Sequence, residues 1–340
     1  MPKGGVGTAH ETHEAHGTTR FLMGMINARS HLGIALFAGL VAVSLRGATL
    51  RHDFLALDEG LVNLLHIDES NPAGNWIVPV GQATPRDMQL IGGGRVLIGH
   101  DAGYTEFDLA TGKIAKEVAR FKGVTSVRRQ SNGHTLIVGV NLDGTTGIVM
   151  LEVDGRDAVV QKTVVSGNYV RLVRETEQGT FLLMNDTMVR EVNRTGVTLH
   201  EWTVPGFRHA WKAVRLPDGH TLASAGFGAF LAELDSEGAI VRKFGAKSDA
   251  LASANPNFYA TFQILPNGDV VVANWQGHGP GHGASGVQLL QFDRGGAIVW
   301  QWSDAKIISS LQGVLVLDGL DPNRLHDERH GVMAPVAQAR

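Results

Sequence analysis

Six times along this chain a short apolar run meets a turn built on glycine and is followed by a second apolar run. The turns are Gly92-Gly93-Gly94, Asn132-Gly133, Gln178-Gly179, Asp218-Gly219, Asn267-Gly268 and Asp318-Gly319. Asn-Gly and Asp-Gly supply the positive φ that a tight hairpin demands, so each turn joins two antiparallel strands. The clearest copies read RLPDGHTLASAG and QILPNGDVVVAN. A third strand follows each of the first five and ends in polar turn residues: EFDLATG, LEVDGR, EVNRTG, ELDSEG and QFDRGG. A fourth closes the unit: KIAKEVARF, AVVQKTV, VTLHEWTV, AIVRKF and AIVWQW.

A unit of about 40–50 residues carrying four strands is the blade of a β-propeller. Five complete units run between residues 84 and 304, and the sixth is split. Leu311–Gly319 has the pattern of a first strand, and HDFLALDEG, LVNLLHID and NWIVPV near the other end supply the second, third and fourth. Pairing the two ends in one blade closes the ring and removes two exposed sheet edges. The expected architecture is therefore all-β: a six-bladed propeller of four-stranded antiparallel blades over residues 50–320, with a tail over 321–340.

Composition agrees with one large folded unit, since 43% of the 340 residues are apolar and only 19% are charged. The net charge of -3 and the lack of a basic stripe give no electrostatic case for nucleic acid as a partner. There is no cysteine, which excludes disulfides, thiolate metal ligands and a cysteine nucleophile. Residues 1–24 are polar and aperiodic, and read as a leader or a misassigned start. Residues 25–48 contain Arg29 and then an apolar run, Leu32 to Leu45, which is shorter than the roughly 20 residues of a membrane span. That segment reads as a secretory signal, which implies a secreted or periplasmic protein with no stable membrane insertion once it is removed; a monomer is expected. A retained anchor is the alternative.

In a propeller the loops between second and third strands, and the connections between blades, converge on one mouth of the channel. Loops on a rigid scaffold are where chemistry is to be sought. Those loops carry Asp58 and Glu59, His100 and Asp101, Asn141 and Asp143, Asn185 and Asp186, and the segment Asn274-Trp-Gln-Gly-His278-Gly-Pro-Gly-His282. The fifth blade offers Ala225-Gly-Phe-Gly, small residues that leave room. The connections add Arg86 and Asp87, Arg208, His209 and Trp211, and Asn257, Phe258 and Tyr259. Each has a structural use as well: Asp and Asn close turns on their own backbone, and aromatics pack between blades. Gly279, Pro280 and Gly281 rule out a helix that would point His278 and His282 at one ion.

The repeats, together with Asp58-Glu-Gly60 and Leu64-Leu-His-Ile-Asp68, resemble six-bladed propellers of the gluconolactonase, SMP-30 and paraoxonase kind, and the repeats are also similar to those of quinoprotein propellers. The first resemblance implies a hydrolase that opens a sugar lactone, an N-acyl homoserine lactone or a related ester at the channel mouth. It implies a calcium ion held by Glu59, with Asn185 and Asn274 as amide ligands and Asp186 or Asp101 as a further carboxylate. It implies water activation by His209, His278 or His100, and substrate contact through Arg208, Trp211, Phe258, Tyr259 and Trp275. A polysaccharide lyase or glycosidase, and a non-catalytic binding scaffold, are the alternatives from other classes.

Overall fold

The computed structural model describes residues 49–337; the leader and the signal-like segment lie outside them. Six four-stranded antiparallel sheets follow one another around a ring. Blade 1 takes its innermost strand, Leu311–Val316, from the far end of the chain and pairs it with Asp53–Asp58, after which come Asn63–Asp68 and Trp76–Pro79. The innermost strands of blades 2 to 6 are Asp87–Gly92, Val124–Arg129, Val173–Glu175, Ala213–Arg215 and Phe258–Ile264. Their outermost strands are Ile114–Ala119, Val159–Val165, Thr198–Thr203, Ile240–Phe244 and Ile298–Trp302. The ring thus closes by the split blade that the repeat pattern predicts.

Burial follows position in the blade. Phe54, Leu55, Ala56 and Leu57 are wholly buried on both faces, because a neighbouring blade covers each side of the sheet. Outermost strands have solvent along one side and keep exposed apolar residues such as Ile114, Val160 and Val241. There is no single central core. Instead six apolar wedges fill the spaces between adjacent blades, for example Leu182, Met184 and Val189 of blade 4 against Ala223, Ala232 and Leu234 of blade 5. The turn of one blade packs on the outer strand of the last: Gly238 at φ +80° lies so close to Trp202 that an added Cβ would sit 2.2 Å from the indole.

The channel itself is polar. Inner strands splay too far for backbone pairing, and glutamines bridge two of the gaps. Gln89 accepts from the Arg129 N–H and donates to the Arg129 carbonyl, and Gln263 does the same with Val316. The segment after blade 1's inner strand then enters from the face opposite the loops described below. It forms the short ribbon His326–Asp327 with Ala334–Pro335 and bridges to Ile91 and Ile264. Glu328 sits inside the channel, 2.5 Å from both Arg174 Nε and Lys212 Nζ. Arg174 also grips Asp87 at 2.8 Å, and Arg128 stands 3.8 Å from Glu328. The tail over 321–337 is therefore part of the fold, and it plugs one end of the channel.

Among the described residues no helix is long and apolar enough to cross a membrane.

Candidate functional site

At the open mouth lies a pocket of about 530 Å³, counting the space open to solvent. Its walls come from the elements that the blade geometry brings to one face. Blade 1 gives Glu59 and Gln312, blade 2 gives Thr84 and Arg86, and the entry to blade 4 gives Arg171. Blade 5 gives His209, Trp211 and Phe227, and blade 6 gives Phe258, Trp275 and His278. Cationic groups therefore occupy the side of blades 2 and 4, and an aromatic wall occupies the side of blades 5 and 6.

The aromatic wall is interlocked edge to face. Phe227 meets Phe258 at 4.7 Å between centroids, Phe258 meets Trp275 at 5.4 Å and Trp211 at 5.5 Å. Such contacts fix ring orientation, since the positive edge of one ring prefers the negative face of the next. The sequence reading of Ala225-Gly-Phe-Gly as a loop that merely leaves room is corrected here: Phe227 is the middle of that wall.

At the junction of blades 6 and 1, Glu59 Oε1 lies 2.9 Å from His278 Nδ1, and Glu59 Oε2 accepts a bond from Trp275 Nε1 at 3.2 Å. A carboxylate only accepts, so the Nδ1 that faces it carries the proton, and in the neutral ring it is Nε2 that keeps the lone pair. Glu59 is 10% exposed while His278 is 77% exposed, which pairs an anchored carboxylate with an accessible imidazole. Across the pocket His209 Nδ1 lies 2.8 Å from the Tyr169 hydroxyl. His209 holds a left-handed backbone (φ 51°), and its N–H donates to Asp186 Oδ1 at 2.8 Å.

Other sequence-predicted residues sit elsewhere. His100 ends the second strand of blade 2, buried, with Nε2 3.1 Å from Thr105 Oγ1, and does not line the pocket. Burial, outweighing the pull of Glu117, pushes its imidazole down to about 4. In an NMR pH titration the His100 ring is expected to stay neutral through pH 5. Its folded value lies below its unfolded one, so its contribution to stability is complete above about 6.5 and is lost as the pH falls toward 4.

Tyr259 is wholly buried between blades 5 and 6 and donates its hydroxyl proton to the Gly245 carbonyl, so it contacts no ligand space. Arg208 stands outside the pocket lining, with Nη2 donating to the Phe227 carbonyl.

The residues assigned to calcium do not converge either. Asn274 is wholly buried, its Oδ1 accepting from the Asn257 N–H and its Nδ2 donating to the carbonyls of Ala254, Asn255 and Val287. Its amide locks the loop before blade 6. Asp186 is spent on His209, and Asp101 and Asn185 do not line the pocket. Glu59 already holds Trp275 and His278 and shares the mouth with two guanidinium groups. This donor set does not fit a calcium ion.

Among the described residues one trio of metal-type side chains does meet, Asp218, His220 and Glu233, on the outside of blade 5. The same bonds recur in blade 3, where His134 follows Asn132-Gly133 and lies 2.6 Å from Glu152, and in blade 6, where Asp269 follows Asn267-Gly268 and accepts from Gln291. The trio is one copy of a device that ties each hairpin to its third strand.

The reading from residues alone missed Arg171, Thr84, Gln312 and Tyr169. Arg171 occupies the connection into blade 4 at the register of Arg86 in blade 2 and Trp211 in blade 5, so aligning the repeats on their inner strands would have exposed it.

No family model matches the chain, and no curated relative does. Solved structures do. A protein of unknown function from Bacteroides caccae superposes with a TM-score of 0.65 at 20% identity, covering 78% of this chain and 99% of that one. A functionally unknown protein from Desulfotomaculum acetoxidans gives 0.49 at 12% identity, over 78% and 98%. A catalytically inactive virginiamycin B lyase from Staphylococcus aureus with quinupristin gives 0.47 at 9%, over 77% and 87%. Geometry and the first of these likenesses agree on one conclusion: the chain is a six-bladed β-propeller, closed by its own two ends.

Proposed function

We propose that the open channel mouth is the active site of a hydrolase that opens a lactone or ester bond by general-base activation of water. The observation that carries this reading is the Glu59–His278 pair at the edge of an aromatic pocket. Glu59 holds the imidazole in the tautomer whose Nε2 can accept a proton. His278 takes a proton from water as its oxygen attacks the carbonyl carbon. The carbonyl π pair moves onto oxygen, where the guanidinium of Arg86 offers donors. When the tetrahedral intermediate collapses, the C–O bond breaks and the imidazolium returns the proton to the leaving alkoxide. The products are the acid and the alcohol. The aromatic wall holds the apolar body of the substrate. The catalytic groups are all side chains of this chain.

The test is release of acid from sugar lactones, N-acyl homoserine lactones and aryl esters by the purified protein, with and without EDTA. Turnover that chelation leaves unchanged is the expected result. No turnover of any of these by folded protein removes the hydrolase reading. Products carrying a new carbon–carbon double bond would instead make the same base a lyase base. Loss on chelation with recovery by calcium would restore the metal mechanism.

A further inference from the structure

Beyond the Arg86 donors given to the developing oxyanion, the cationic side of the pocket holds Arg171, which water activation does not use. Among the described residues, neither Arg86 nor Arg171 has a carboxylate within 4.0 Å, although the other buried and part-buried arginines do. Both are half-buried and both line the pocket. Burial first, and then the neighbouring charge of Arg171, lowers the Arg86 guanidinium against the opposite pull of Asp101 and Glu59. A folded chain that leaves two such cations together with no carboxylate in direct contact keeps donors that an anion would engage.

Arg86 gives Nη1 to the Val124 carbonyl at 3.3 Å, whereas Arg171 Nε is unspent. Arg171 is stacked against Tyr169 at 4.5 Å and against Trp211 at 5.2 Å from guanidinium carbon to ring centroid. Rings over its faces leave a guanidinium its in-plane N–H groups for bonding, the geometry that matches a carboxylate. Arg171 Nε and Trp211 Nε1, buried at the pocket wall, have no hydrogen-bond partner, and neither has Thr84 Oγ1. Trp211 is only 3% exposed, so its orphaned N–H is a group that a ligand oxygen would satisfy.

We infer that Arg171 and the Trp211 N–H form a carboxylate-binding subsite, with the charge of Arg86 beside them, so that the ligand of this pocket is a monocarboxylate whose apolar or aromatic body lies on Phe227, Phe258 and Trp275. As a statement about substrate, this rests on the hydrolase reading: the ester or lactone carries a second, free carboxylate some distance from the bond that breaks. One charge is expected because Asp101 and Glu59 already act against the charge of Arg86.

The subsite can be tested by binding alone. Isothermal titration of the full chain with 3-phenylpropionate and with 3-phenylpropionamide compares two ligands that differ in charge and share a shape. The acid is expected to bind at least tenfold more tightly than the amide. Arg171→Met is expected to abolish that preference, with its thermal melt showing that it is folded. Arg86→Met provides a second variant, expected to weaken the acid and leave the amide unchanged.

Equal binding of acid and amide, no binding of either, or an undiminished preference in both variants would overturn the subsite. The two readings separate cleanly. Preference for the acid without turnover of any ester ends the hydrolase reading and leaves the subsite, whereas turnover without acid preference does the reverse.

Discussion

Glu328→Gln is expected to destabilise the protein by about 3–5 kcal/mol, the range for removing one partner of a buried ion pair. The carboxylate is 3% exposed and lies between three cations, Arg174, Lys212 and Arg128. Without it, Asp87 and the more weakly acting Asp327 remain to offset them, and Asp87 is already held by Arg174. The amide keeps the shape and loses the charge, so the loss measures electrostatics rather than packing. Urea unfolding should show a lower midpoint with an unchanged slope. Adding Lys212→Met should recover part of the loss, because one uncompensated cation leaves with it. A loss below about 1 kcal/mol would show that the tail does not hold the channel closed by charge.

The same group sets an acid limit. Burial alone would raise the Glu328 carboxyl, but Lys212, Arg174 and Arg128 outweigh it and hold it at about 2. A carboxyl lowered in the folded state stabilises in full above its unfolded value, near 4.5, and that contribution is lost as the pH falls from there toward 2. Burial dominates at Lys212 in the other sense and pushes its ammonium down to about 8, despite Glu328. The cost of burying that charge is present below pH 8 and is relieved as the pH rises toward 10.5. Wild type and Glu328→Gln should therefore converge in stability on the acid side.

His278→Ala is expected to lower kcat/KM for the best ester or lactone by about a thousandfold, within the usual range for a general base. The side chain is exposed and flanked by Gly277 and Gly279, so the thermal midpoint should not move. Added imidazole should restore part of the rate, which a merely structural role would not allow. Glu59→Gln should cost less than His278→Ala, since the base remains but loses the partner that selects its tautomer. If His278→Ala keeps wild-type kcat/KM, His209 with Tyr169 becomes the base to test.

The blade pattern could be read early because it rests on local chemistry. Asn-Gly and Asp-Gly turns need little beyond their own backbone preference, and period-two burial is written in each strand. Even the ring closure was legible, since Leu311–Val316 lacked three strands and the first strands of the chain lacked one. The tail was not: Leu325-His-Asp-Glu328 reads as a polar end segment, and only the cations waiting in the channel make Glu328 a buried residue.

Site residues divide along the same line. The mouth was located by topology, and Glu59, His209, Trp211, Phe258, Trp275 and His278 all line its pocket. What each does there was not written in residue type. Asn274 and His278 belong to one loop, yet the amide faces inward onto backbone carbonyls and the imidazole outward beside Glu59. Asp186 and Glu59 were alike as oxygen donors until the fold spent one on a backbone N–H and the other on an imidazole.

By itself, then, the sequence determined a closed ring of six antiparallel blades and the face on which its loops gather, because turns and strand periods are properties of neighbouring residues. The tertiary structure alone decided that Arg86 and Arg171, 85 positions apart, share one pocket with no carboxylate in direct contact, while Glu59 in the same pocket is turned to Trp275 and His278. Charge balance between distant blades is a property of distance in space, and a linear chain does not display it.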